Sequence, residues 1–294
     1  MGKTTIITSP ITGFSFEARK WKLHDMERLA ELADEADESV DILSEAVRPT
    51  WIRTIDPGPY DIKKGADSCP DFTEMLKLDV LHSLFQVRMA SWPEDLEKGM
   101  TREHYQFDAE CAHCKPKYTF PQQVRLSQLK FFPLPKASLE ALRSKKPLEL
   151  RAPDGKLIKY ELPKLAQDKD LVAYREKLYG KGKAKTKARP KPSELLAIQC
   201  TYVEGLKTQL LSDRIKYFAN LDLDEMTPIR NGMSKAGSYV AQKVDCTCDR
   251  CKAKFEVRLP LQASFFMPSD PMEEQPPEPE TEENPEQQDP DEET

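Results

Sequence analysis

The residues best equipped for chemistry are four cysteines in two pairs, Cys111-Ala-His-Cys114 and Cys248-Asp-Arg-Cys251. A Cys-x-x-Cys turn offers two thiolates at the bite a tetrahedral metal ion needs, and zinc takes four such soft ligands. Both pairs continue alike, into Lys115-Pro-Lys117-Tyr118 and Lys252-Ala-Lys254-Phe255. Lysines beside a thiol help to keep it ionised. The copies run on through Val124-Arg-Leu126 and Val257-Arg-Leu259 to Phe131-Phe132-Pro133 and Phe265-Phe266-Met-Pro268. The pattern predicts one closed site formed by Cys111, Cys114, Cys248 and Cys251, holding a structural Zn²⁺ with no open position for catalysis. The 133 residues between Cys114 and Cys248 are a long separation for such a site, and Lys115 and Lys252 stand where a glycine is often found. Two other readings stand beside it: relic turns that hold no metal, and a redox-active dithiol. The second lacks the βαβ context of a thioredoxin-like motif. Cys246 and His113 read as bystanders, and Cys69 and Cys200 as small buried or half-buried residues.

Little else suggests chemistry. Gly2-Lys3-Thr4 has neither the upstream strand nor the first glycine of a phosphate loop. His24, His82, His104 and His113 share no frame with a nucleophile, and the carboxylates fall on faces where solvated charge is the simpler explanation. The chain is therefore expected not to be an enzyme and to have no small-molecule substrate. Its opening residues predict no export signal, and no apolar run approaches the roughly 20 residues of a membrane helix. Seven cysteines in that setting indicate metal binding in a reducing compartment rather than disulfides. Residues 270–294 carry twelve carboxylates and no Lys or Arg; without them the formal net charge moves from −6 to +6. The body is thus mildly basic, and the tail is an acidic segment expected to be disordered. Residues 181–191 carry six Lys or Arg and are expected to form a mobile basic loop. That run allows nucleic-acid binding, although it has no interleaved aromatics for base stacking.

The elements that must position the cysteines follow from periodicity. Residues 4–20 predict a hairpin about a Pro/Gly turn. Apolar residues at helical spacing predict one helix from Leu23 to Val47, stopped by Pro49. Residues 49–71 read as an irregular connection. A second helix is predicted over 71–90, with Asp71 as N-cap, Glu74 completing a capping box, and Leu76, Val80, Leu84 and Val87 on one face. Strands at 105–110 and 117–126 flank the first cysteine pair. Asp154-Gly155 between alternating runs predicts a hairpin over 148–162, followed by a charged helix. Residues 193–220 predict helical structure broken near Gly205, then a short helical unit over 221–230 and a strand over 239–246. The Phe-Phe pairs read as core plugs.

The order of these pieces is a helix ending at Arg88, a strand, Cys-x-x-Cys and a strand. A Pro153-Asp154-Gly155-Lys156 hairpin follows, then a unit ending at Arg230, a second Cys-x-x-Cys and Phe265-Phe266-Met-Pro268. Over residues 1–268 it resembles the baseplate protein family of T-even-type and related contractile-tailed phages, the hub-subunit or hub-assembly group. The resemblance implies a non-enzymatic morphogenesis protein that binds other tail and baseplate proteins in the host cytoplasm and possesses cysteine pairs like zinc-ribbon turns. It leaves open whether the protein stays in the virion. The alternative is a zinc-ribbon nucleic-acid-binding protein. The expected fold class is α+β, with two approximate repeats of helix, strand, knuckle and strand forming a zinc-ribbon-like core around an inserted segment. The expected division is a first unit at 1–135, an insertion at 136–192, a second unit at 193–268 and a tail at 269–294.

Overall fold

β-Branched Thr4-Thr-Ile-Ile-Thr8 and the run Ser15–Arg19 form the antiparallel strands β1 (Thr4–Thr8) and β2 (Ser15–Arg19), with Ile7 opposite Phe16. The turn between them uses Gly13 at φ +81°, a conformation that costs glycine little. The computed structural model describes residues 4–35, 40–92, 101–180, 190–237 and 243–267. Residues 181–189 of the expected basic loop, the acidic tail and the middle of the expected first long helix lie outside them. The fold is mixed helix and antiparallel sheet, as expected.

A third strand, β3 (Trp51–Asp56), pairs with β2, so the stretch predicted to be irregular completes a three-stranded sheet. Its Thr54 also exchanges backbone hydrogen bonds with Gly65, at 2.8 and 2.9 Å. Before it lie helices α1 (Leu23–Glu35) and α2 (Val40–Val47), in place of one described helix.

The predicted cap at Asp71 opens a single 3₁₀ turn over Phe72–Glu74, where the carboxylate accepts from the Thr73 amide at 2.9 Å. Helix α3 (Lys77–Ser91) starts only after Leu76 and ends at Trp92. It is not amphipathic. Val80, Leu84 and Val87 are fully buried on the predicted face, and Asp79, His82, Ser83 and Phe85 are buried elsewhere around it. A helix buried on all sides is one that other elements pack around. At its N-terminal turn Asp79 accepts hydrogen bonds from the hydroxyls of Ser9, Thr12 and Tyr60, which fix the β1–β2 turn and the 57–62 loop to the helix. Burial pushes the Asp79 carboxyl up, and the three hydroxyls oppose that shift.

At the other end Arg88 is 1% exposed. Its guanidinium carbon lies 4.1 Å from the centre of the Trp92 ring and 5.0 Å from that of Phe265. Its Nε donates to the Phe265 carbonyl at 3.0 Å, and Nη1 donates to the Arg102 carbonyl at 3.3 Å. Burial lowers its pKa to about 10, so it remains charged at neutral pH. The counterpart expected in the second unit, Arg230, is exposed, so the likeness of the two units does not extend to that side chain.

The hairpin of β4 (His104–Cys111) and β5 (Tyr118–Arg125) follows. The chain then leaves this body. Helix α4 (Lys136–Arg143), strands β6 (Leu148–Arg151) and β7 (Leu157–Tyr160), α5 (Leu165–Tyr179) and α6 (Pro192–Gln199) come next. After them stand β8 (Cys200–Val203), α7 (Leu211–Ala219) and α8 (Leu223–Ala236). β8 lies inside the run predicted to be helical and pairs with β7. Its outer edge is closed by the Gln209 side-chain amide, which bonds Val203 N at 2.9 Å and Val203 O at 3.0 Å as a neighbouring strand would. Ile158, Tyr160, Leu196, Cys200, Phe218, Ile229 and Met233 share a core of their own. The expected boundary at 192/193 therefore cuts through one lobe, which runs to about residue 236.

The chain returns through the hairpin of β9 (Lys243–Thr247) and β10 (Lys254–Arg258) and ends in a short turn of helix, α9 (Ala263–Phe266). Phe265 and Phe266 are fully buried in the body's core beside Trp21, Phe85 and Tyr105. They are the plug expected of them; Phe131 and Phe132 are only half-buried.

Two measurements test this core. Replacing Arg88 with Met removes its donors and leaves the buried Phe265 carbonyl unsatisfied, and is expected to cost about 3 kcal/mol of unfolding free energy by chemical denaturation. His82 is 7% exposed, and burial lowers its pKa from 6.5 to about 4. The unfolded state thus takes up the proton first as the pH falls. Its contribution to stability is intact above pH 6.5 and lost progressively down to about 4. A His82→Leu variant, compared with the parent across that range, is expected to gain about 3 kcal/mol of relative stability at the acid end.

Candidate metal centre

The orientation of two of the four thiols follows from strand periodicity. Along β4 burial alternates, so Tyr105, Phe107, Ala109 and Cys111 face inward while Gln106, Asp108 and Glu110 face solvent. Cys246 in β9 and Cys248 just beyond its end keep the same parity, with Asp245 and Thr247 outward. Each hairpin therefore delivers the first cysteine of its pair to the interior, Cys111 at 1% and Cys248 at 0% exposure. The second cysteine comes from the turn: Cys114 is half-buried and Cys251 exposed.

The turns are not identical. Cys111 is still in its ladder, opposite Tyr118, whereas the second ladder ends at Thr247 opposite Lys254 and places Phe255 against Cys246. The second turn is closed by Cys248 N to Ala253 O and Lys252 N to Cys248 O, both at 3.0 Å. Lys252 takes φ +59° there, the left-handed conformation that explains why such turns often use glycine.

Aromatic side chains fit the hairpins together. The Phe255 ring meets Phe120 and His113 edge-on, with centroids 6.1 Å apart in both cases, and Tyr118 stacks on Phe120 at 5.9 Å. Tyr118 OH donates to Asp249 at 3.1 Å, and the Arg250 guanidinium lies 5.6 Å from the Tyr118 ring. The pairing of Tyr118 with Asp249 was not foreseen; a hydrogen bond across 131 residues leaves no local signal.

All four predicted cysteines come together. Cys111 Sγ is 3.6 Å from Cys251 Sγ, Cys114 Sγ is 3.8 Å from Cys248 Sγ, and all four sulfurs lie within 4.8 Å of one another. A tetrahedron with metal–sulfur bonds of about 2.3 Å has sulfur–sulfur edges of about 3.8 Å, so the set has the size to hold one metal ion. Disulfide sulfurs would be about 2.05 Å apart. Cys246 and His113 stand outside the group: the first lies 3.7 Å from the Val244 carbonyl, and the second packs on Phe255. Cys69 and Cys200 are half-buried and buried.

The electrostatics fit the same use. Backbone amides point at both inward sulfurs, His113 N to Cys111 Sγ at 3.4 Å and Cys251 N to Cys248 Sγ at 3.5 Å. Burial raises the Cys248 thiol, but amides of Cys251 and Arg250 outweigh it and bring the pKa to about 7. Cys114 is pushed up to about 12, by desolvation first and then by its three thiol neighbours. Without a cation, four clustered sulfurs cannot all ionise; a divalent ion removes that conflict.

A concavity of about 480 Å³ lies between the lobe and the body. Four of the charges that line it form two pairs, Lys145 with Asp61 at 2.8 Å and Lys164 with Glu161 at 2.9 Å.

Elemental analysis is expected to find about one divalent metal ion per chain. Cys111→Ser and Cys248→Ser, one in each hairpin, are each expected to abolish binding, because neither turn alone supplies four ligands. Two ions per chain, or loss in only one variant, would contradict a shared site. No protein-family model, curated protein or solved structure matches this chain.

Proposed function

We propose that this chain is a non-enzymatic assembly protein, closed by a structural zinc ion on Cys111, Cys114, Cys248 and Cys251 and working through contacts with other proteins. The approach of Cys111 to Cys251 at 3.6 Å and of Cys114 to Cys248 at 3.8 Å carries this reading. The first cysteine of each pair lies against the second of the other, as expected if two zinc-ribbon-type knuckles repeat about a pseudo-twofold. Zinc suits a tetrathiolate of this size and has no redox chemistry of its own. Bound there it would pin the returning hairpin to the body, and four protein ligands leave no position for a substrate.

The order of elements that resembles the baseplate hub family supports the narrower proposal: a hub subunit or hub-assembly factor of a contractile-tailed phage, acting in the host cytoplasm during morphogenesis. Exposed apolar side chains fit a binding role. Among the described residues, seven of the nine large exposed hydrophobics lie between Val172 and Leu223, in the inserted lobe, which makes the lobe the better candidate for partner contacts.

The nucleic-acid reading draws less support. Around the knuckles Lys115, Lys117, Arg250, Lys252 and Lys254 are offset by Glu110, Asp245, Asp249 and Glu256. A zinc tetrathiolate adds two further negative charges, so no cationic face results. Mixing the purified chain with baseplate hub proteins is expected to give a complex on size-exclusion chromatography that persists at high salt. Absence of that complex, together with steeply salt-dependent retention on DNA, would overturn the assembly reading in favour of nucleic-acid binding.

A further inference from the structure

The four cysteines are unequally sheltered. Cys111 and Cys248 are buried and hydrogen-bonded by backbone amides, and Cys114 is half-buried; Cys251 is exposed. The Cys251 sulfur lies 3.6 Å from that of Cys111, on the other hairpin. We propose that Cys251 is a modification site, the sulfur at which soft electrophiles and peroxides enter the metal centre, and that oxidation joins it to Cys111 and releases the metal. The proposal rests on the zinc reading above.

A metal-bound cysteine is deprotonated whatever its affinity for a proton in the free chain. Access then decides which sulfur reacts first. With hydrogen peroxide as oxidant, the Cys251 sulfur attacks one oxygen, the O–O bond breaks and hydroxide leaves, giving a sulfenic acid. The Cys111 sulfur then attacks the Cys251 sulfur. The S–S bond forms as the S–O bond breaks, and the second oxygen also leaves as hydroxide. Two protons from solvent convert both hydroxides to water, and two thiolates have supplied the two electrons that reduce the peroxide. Cys114 and Cys248 remain as ligands, too few to retain the ion. The product bridges the hairpins, whereas a dithiol of the thioredoxin type closes within one Cys-x-x-Cys.

The test uses the full chain loaded with zinc. Metal content is measured first; a well-folded protein without zinc overturns the zinc reading, and this proposal with it, before any oxidant is added. One equivalent of hydrogen peroxide is then supplied, zinc release is followed with a chromogenic chelator, and disulfides are mapped by peptide mass spectrometry after thiol blocking. The expected result is about one zinc released for each first disulfide, and that disulfide is Cys111–Cys251. Limiting iodoacetamide is expected to label Cys251 at least about tenfold faster than Cys111 or Cys248. A first disulfide within either pair, or between Cys114 and Cys248, would overturn the proposal even where zinc is present. Equal labelling of the four cysteines in the zinc-loaded chain would do the same.

Discussion

The fold depends on bringing the last 25 described residues back to a body begun more than 100 residues earlier. Closing a loop of that length costs on the order of 4–5 kcal/mol of chain entropy. Two attachments oppose this cost. One is apolar: Phe265 and Phe266 fill the core beside Trp21, Phe85 and Tyr105, and full burial of each ring contributes about 2–3 kcal/mol. The other is the convergence of four thiols, whose sulfurs lie within 4.8 Å of one another. Arg88 connects the apolar attachment to the central helix, because its guanidinium holds the Phe265 carbonyl while its plane lies near the Trp92 and Phe265 rings.

This arrangement explains the order of chain segments. The body takes the N-terminal sheet, the first three helices, both knuckle hairpins and the C-terminal turn. The lobe lies between the two cysteine pairs in sequence and has its own core; it also packs on the body, with Leu165 of α5 buried in the body's core, Leu162 beside Ile11 and Leu76, and Lys77 paired with Asp168 at 2.6 Å. Within the lobe the buried Arg175–Glu194 pair, at 2.6 Å, ties α5 to α6 across the 181–189 run. Such a pair specifies which helices meet more than it adds to stability.

Much of the site was legible because its signals are local. The Cys-x-x-Cys spacing and the aromatic that follows lie within eight residues in each copy, and the strand predicted at 105–110 leads directly into Cys111. The hairpin at Asp154-Gly155 was legible for the same reason: Gly155 takes φ +83°, as that turn demands. What escaped depends on distant partners. Trp51–Asp56 is a strand because β2 offers it an edge, and the flanking Pro49 and Pro57 concealed it. Cys200–Val203 follows a helix so closely that its residues extended the helical period, and only β7 makes it a strand. The contact of Glu194 with Arg175, on either side of the expected boundary at 192/193, leaves no local signal, because the basic run between them resembles a linker. Asp71 does cap, but it caps a single 3₁₀ turn, because α3 starts only after Leu76.

The distance between the knuckles also sets an order in time. A ribosome adds about 5–20 residues per second, so the 134 positions from Cys114 to Cys248 separate emergence of the two half-sites by roughly ten seconds. During that interval the first hairpin presents two thiols without their partners, and the body around α3 has a vacant place where Phe265 and Phe266 will sit. The lobe, whose own core is drawn entirely from the intervening segment, can fold meanwhile. The body is therefore the first part of the protein to begin and the last to be finished.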